Sequence, residues 1–224
     1  MKTIAIAGKG GGGKTTTTCN LAVVAHRAGL KVGLVDADPQ WSLRDWRYAR
    51  GTADIPMQTC SADRLKEVLA LAERARLDEL FIDMPPAFGP HALAIIGVAD
   101  FVLLPMQPTI LDLSATRKWI SLLGSAAKRF GLVINGAPAR REGTEAPAVR
   151  DARAALHDIG VPLWPGQVTR RLIIPHAAIG GRGVAECDPD RPAAHEYRAL
   201  WRAIERVLNP DRRITNVITS KNVA

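Results

Sequence analysis

Apolar residues fall into two kinds of segment that alternate along the chain. Short runs rich in aliphatic and β-branched residues occupy 3–7 (TIAIA), 31–36 (KVGLVD), 57–60 (MQTC), 79–83 (ELFID), 101–105 (FVLLP) and 130–135 (FGLVIN). Between them lie longer stretches with apolar positions at helical spacing: Thr15 to Ala28, Ala62 to Ala75, Leu111 to Arg129 and Ala146 to Ile159. A Trp-rich connector follows Asp38, and a last helix carries Arg198, Arg202 and Arg206. The short runs are continuously apolar, which is what strands need when both sheet faces are covered. The order predicts an α/β fold, a mainly parallel twisted sheet with helices on both faces.

The 224 residues suit one such domain, expected over 1–208, with a basic tail over 209–224. Three cysteines, Cys19, Cys60 and Cys187, stand far apart with no CxxC pair, which argues against a disulfide framework or a cysteine-held metal cluster and favours a reducing compartment. The first apolar run is broken by glycine too soon for a signal peptide, and the longest apolar region, His91 to Met106, contains Asp100. The expectation is a cytoplasmic protein with no membrane span. A formal net charge of +8 adds a preference for polyanionic partners.

Chemistry enters at Gly8 to Thr15, GKGGGGKT, which fits GxxxxGK[ST] and sits between a predicted strand and a predicted helix. The glycines Gly10, Gly11, Gly12 and Gly13 let backbone N–H groups converge on phosphate. Lys14 neutralises the β and γ oxygens, and the Thr15 hydroxyl is placed to ligate Mg²⁺. The ligand is therefore a nucleoside triphosphate, and the fold a P-loop NTPase. Asp36 and Asp38 end one predicted strand and Asp83 another, at the carboxyl edge where Mg²⁺ and an attacking water need acceptors. What the loop leaves unexplained is its second lysine, Lys9.

Lys9 before the glycines, DADPQ at 36–40, IDMPP at 82–86 and VLLPMQPTILDLSA at 102–115 together resemble the ParA/MinD deviant Walker ATPases. The likeness is greatest to small ParA proteins that lack an N-terminal helix-turn-helix domain. The resemblance implies ATP and Mg²⁺ as cofactors. It implies that Lys9 reaches across a nucleotide-sandwich homodimer to the other subunit's phosphates, in the manner of an arginine finger. It also implies that Asp38 orients the hydrolytic water, that Asp36 is an outer-shell magnesium residue, that Asp83 is the Walker B carboxylate, that Thr16 contacts the α-phosphate and that Asn135 reads adenine. Two positions depart from the pattern. Gly136 stands where arginine usually follows the asparagine, and Gly12 stands where valine is common, which makes the loop more pliable.

Basic residues gather late in the chain. Arg198, Arg202 and Arg206 share a helical face, with Arg170, Arg171 and Arg182 before them and Arg212, Arg213 and Lys221 beyond. The family resemblance implies that such residues bind nucleoid DNA without sequence preference in the ATP dimer. It further implies that a ParB-like or other small adaptor stimulates weak ATP hydrolysis, so that a plasmid, a chromosome region or a protein assembly is positioned or segregated. The alternatives are a MinD-like membrane-associated switch, which needs an amphipathic tail around Ile214, Val217 and Ile218, and a metabolic P-loop synthetase.

Overall fold

The computed structural model describes residues 1–210. Six parallel strands form one sheet: β1 (Lys2–Ile6), β2 (Val32–Asp36), β3 (Met57–Thr59), β4 (Glu79–Asp83), β5 (Phe101–Met106) and β6 (Phe130–Ile134), in the order β3-β2-β4-β1-β5-β6. All five pairings are parallel. Because β1 is central and the order reverses about it, its carboxyl end opens onto a crevice, the usual ligand position in open α/β sheets. The register aligns the chemistry there. Asp83 pairs with Ile6 on one side and Asp36 on the other, so the loop after β1 and both carboxylates share one edge.

Alternation along the strands divides the core between the two sheet faces. Ile4, Ile6, Leu34, Phe81, Leu103 and Val133 point to one side, where α1 (Lys14–Arg27), α2 (Ser42–Arg50), α7 (Ile173–Ile179), α8 (Val184–Cys187) and α9 (Pro192–Leu208) pack. Ala5, Val35, Ile82, Val102 and Leu104 point to the other, beneath α3 (Leu65–Arg74), α4 (Pro90–Val98), α5 (Ile110–Ser125) and α6 (Pro147–Ile159). The predicted parallel sheet covered on both faces is what the chain adopts.

Local departures have local causes. The Trp-rich connector is α2, an amphipathic helix that buries Leu43 and Trp46. Helix α5 stops at Ser125, short of the expected Arg129, where Ala127 turns to a φ of 48° and the Lys128 ammonium donates to the carbonyls of Gly97 and Ala99. The first turn of the Ala62 to Ala75 stretch is a 3-10 turn. After α6, residues 162–170 run beside β6, with parallel bridges from Leu132 to Leu163 and from Ala137 to Thr169. That segment leads into α7 and α8, neither of which the periodicity predicted. Among the described residues no helix is long and apolar enough to cross a membrane. Arg212, Arg213, Lys221 and the proposed amphipathic tail lie outside the described residues.

Candidate nucleotide site

The turn from β1 into α1 is tight enough to dictate its glycines. Gly13 has a φ of 93°, and a Cβ there would lie 2.1 Å from the Asn135 amide nitrogen. A Cβ on Gly12 would lie 2.9 Å from the Pro105 carbonyl oxygen at the end of β5. A side chain at 12 would therefore require the Pro105 carbonyl to shift, a close approach of two backbones where sequence alone suggested only pliability. Two side-chain amides brace the loop from outside: Asn135 Nδ2 donates to the Gly12 carbonyl at 2.8 Å and Gln107 Nε2 to the Gly11 carbonyl at 2.9 Å. With those carbonyls tied outward, the trans peptide N–H groups that follow them are turned the opposite way.

Lys14 opens α1 and is only 7% exposed. Burial lowers its pKa, and the nearby carboxylates of Asp83 and Asp38 oppose that shift. Thr15 Oγ1 donates to Asp83 Oδ2 at 2.5 Å, while Asp83 Oδ1 is buried with no hydrogen-bond partner. Removal from solvent pushes the Asp83 carboxyl up to about 7, against the stabilising Thr15 bond and Lys14 charge. A hydroxyl beside a buried carboxylate with one unsatisfied oxygen is a hard-oxygen pair that fits Mg²⁺. Among the described residues no three His, Cys, Asp or Glu side chains converge as a metal cage. Mg²⁺ held by one or two protein oxygens draws its other ligands from phosphate and water.

Asp36 is wholly buried and engages both oxygens with backbone, accepting from Asp38 N at 3.1 Å and Arg44 N at 2.9 Å. Burial raises its pKa and those two N–H bonds oppose the rise. Its direct work is to fix the turn that carries Asp38 and the start of α2. Asp38 Oδ1 accepts from Gln40 N, so Asp38 sits at the crevice rim on a braced turn.

Lys9 does not point into its own loop. Its Nζ lies 2.7 Å from Asp112 Oδ1, with the lysine side chain 40% exposed and the aspartate 6%. Asp112 is held in turn by the Gln107 backbone N–H at 2.9 Å. The residues Asp112 and Gln107 belong to the quoted stretch 102–115, yet sequence reasoning assigned neither a role. The available signal was Thr109, whose Oγ1 caps α5 by accepting from Asp112 N.

A cavity of about 420 Å³ extends from Gly13 and Thr16 past Asn135 to Arg170 and Arg171. The two arginines, expected on a DNA face, line this cavity, and Arg171 pairs with Glu196 at 3.1 Å. Arg198 and Arg202 line a different hollow, between α1 and α9, while Arg206 is exposed.

Residues 3–178 match the CobQ/CobB/MinD/ParA nucleotide binding domain. The chain belongs to this family. A relative, Maintenance of carboxysome distribution protein A of Halothiobacillus neapolitanus, is 32% identical over 209 residues, covering 88% of this chain and 94% of its own. The solved structure of a singly substituted Cyanothece McdA in complex with ATP has a TM-score of 0.71 at 19% identity, covering 93% of this chain and 96% of that one. The septum site-determining protein MinD complexed with Mg-ADP, from Pyrococcus horikoshii OT3, has a TM-score of 0.71 at 22% identity, covering 95% and 99%. At those identities the two structures speak for the fold. The ParA/MinD resemblance seen in the sequence is correct.

Proposed function

We propose that this chain is an ATP-driven positioning switch. Two copies close face to face on ATP and Mg²⁺, the dimer holds DNA without sequence preference, and a small adaptor protein stimulates hydrolysis and releases it. The observation that carries this reading is Lys9, a cation beside the phosphate loop that its own loop does not use and that Asp112 holds at the rim. Thr15 and Asp83 hold the Mg²⁺, with Asp36 behind them. Lys14 neutralises the phosphates, Thr16 meets the α-phosphate, and Asp38 orients the water. Asn135 braces the loop and faces the base, and Arg170 or Arg171 brings to the same wall the guanidinium that Gly136 cannot supply. The cargo we assign is a protein assembly of the carboxysome kind, because the relative named above maintains carboxysome distribution. Arg206 carries the DNA contact within the described residues, and its neighbours Arg212 and Arg213 lie just beyond them. The protein would then reside in the cytoplasm on the nucleoid.

The test is oligomer size by light scattering together with binding to random-sequence duplex DNA, each with ATP, ADP and no nucleotide. Dimerisation and DNA binding that both require ATP, and that both fail in Lys9→Ala, are expected. A monomer that binds ATP yet never dimerises would overturn the switch reading. Arg206→Glu should weaken DNA binding and flatten its salt dependence while leaving the dimer intact.

A further inference from the structure

The arginine face of α9 is not a flat ridge. Between α1 and α9 lies a hollow of about 300 Å³, with Trp201, Val24 and Ala28 among its lining residues and Arg27, Arg198 and Arg202 around them. The three cations come from two helices. Arg198 spends one guanidinium N–H on the Pro189 carbonyl. Arg27 and Arg202 add a cation from each helix to the same wall. Glu205 also lines the hollow and has interactions of its own, leaving the wall net positive. Trp201 is 2% exposed and packs on Phe81 of β4 with ring centroids 5.7 Å apart. The tryptophan is therefore a rigid floor, and a side chain entering the hollow meets a preformed surface.

The two parts of this hollow ask for different things. The arginines ask for anions. The aliphatic and indole surface asks for an apolar group, and the phosphodiester backbone of a duplex offers no large one, since it presents charged oxygens to basic ridges and leaves an apolar recess unfilled. A short peptide with an apolar side chain between carboxylates satisfies both at once, an apolar anchor seated in a pocket and a charged rim around it. We infer that the α1–α9 hollow is the docking site for an acidic segment of another protein, anchored by one large apolar side chain. Charge complementarity selects that occupant. The site lies at the last turn of α1, thirteen residues beyond Lys14 and so about 20 Å along the helix from the phosphate loop. It therefore stands or falls apart from the ATP-switch reading.

The probe is a fluorescein-labelled peptide, Gly-Asp-Glu-Leu-Phe-Asp-Glu-Gly, titrated against the full chain by anisotropy at low salt. Two controls replace Leu-Phe by Gly-Gly or every acid by its amide. Binding in the micromolar range is expected for the probe alone. Arg27→Glu and Arg202→Glu should each weaken it about tenfold. Ala28→Trp, at an exposed helix-end position, fills the hollow without removing charge and should weaken the probe by a similar factor while nucleotide affinity is retained. An unlabelled form of the peptide should change tryptophan emission in the parent chain, and Trp201→Phe should abolish that change. Equal binding of the Gly-Gly peptide, or undiminished binding by Ala28→Trp, would reduce the site to surface charge and overturn the inference. Loss of duplex DNA affinity in Ala28→Trp without loss of the probe would assign the hollow to nucleic acid instead.

Discussion

Asp83→Asn is the sharpest perturbation of the site, because it should move stability and activity in opposite directions. The carboxyl is fully buried, accepts one bond from Thr15 and leaves Oδ1 without a partner. Burial raises it from 3.8 to about 7, which corresponds to about 4 kcal/mol held against the folded state once the group ionises. The sign follows from proton uptake. Below about pH 4 folded and unfolded chains are both protonated, and Asp83 opposes folding little. Between about 4 and 7 the unfolded chain ionises first, so stability falls as pH rises, and above about 7 the full penalty is present. Asparagine removes the charge and keeps an oxygen for the Thr15 hydroxyl, but it buries an amide without a partner, which costs about 1–3 kcal/mol. The net gain near pH 8 is then about 1–3 kcal/mol, or roughly 3–10 °C in Tm for a domain of this size. Urea and thermal melts from about pH 5 to 8.5, in chelator and without nucleotide, measure it. The parent should lose stability across that window and the variant should not. Parallel curves would refute the claim that Asp83 is strained by its burial. Mg²⁺-dependent ATP turnover should collapse in the same variant, because one of the two hard oxygens beside the phosphates is lost.

Three other perturbations address the loop and its supports. Gly13→Ala places a Cβ against Asn135 at a φ of 93°, and fluorescent ATP analogues should bind at least about a hundredfold more weakly. Asp112→Asn keeps the bond from Gln107 N but loses the ion pair to a half-exposed lysine, worth about 1 kcal/mol after screening. Two such pairs, one in each subunit, are broken when the dimer forms, so ATP-dependent dimerisation, followed by sedimentation, should tighten about thirtyfold if Lys9 acts in trans, and an unchanged dimer constant would place Lys9 outside the interface. Arg50→Met strips the buried partner of Asp54 and Glu186, which Arg50 holds at 2.6 Å each, and should destabilise the chain by about 3 kcal/mol in urea. Arg50 keeps both carboxyls below their usual range, so in the parent that support is present above about pH 4 and fades as acid protonates them.

What the sequence made legible is what depends on short-range pattern. GKGGGGKT between an apolar run and a helical one specifies a phosphate loop because backbone geometry, charge and hydroxyl must occur in that order. The continuous strands specified a sheet covered on both faces, and Asp36 and Asp83 at strand ends fall beside the glycine loop because parallel strands share a carboxyl edge. The features that escaped depend on contacts between distant segments. Arg170 and Arg171 read as candidate DNA contacts, and only the run of 162–170 beside β6 brings them to the cavity beside the glycine loop. The stripe Arg198, Arg202 and Arg206 was correctly spaced for one face, yet spacing does not reveal that Arg27 from α1 meets the first two across a tryptophan-lined hollow. The connector after Asp38 carries helical period for too few residues to outweigh its aromatic content, and its folding is decided elsewhere: Arg50 reaches Glu186 and the Gly181 carbonyl, and Trp46 Nε1 donates to the Arg182 carbonyl.

Lys9 shows the same division at a single residue. Its identity marked it as surplus to one phosphate pocket, and that inference needed only the loop. Its present partner, Asp112, lies 103 positions away, and a buried aspartate at the third position of a Thr-capped helix reads locally as ordinary capping. The same helix start also holds Gln107, whose amide grips the Gly11 carbonyl while its backbone N–H grips Asp112. Gln107 thus joins the Lys9–Asp112 pair to the phosphate loop by side chain and backbone. If Lys9 leaves for a second subunit, the carboxylate it vacates loses its cation and depends on the Gln107 N–H. The turn at 107–112 and the loop at 9–13 are joined by these bonds, so a second subunit that drew Lys9 away would act on both.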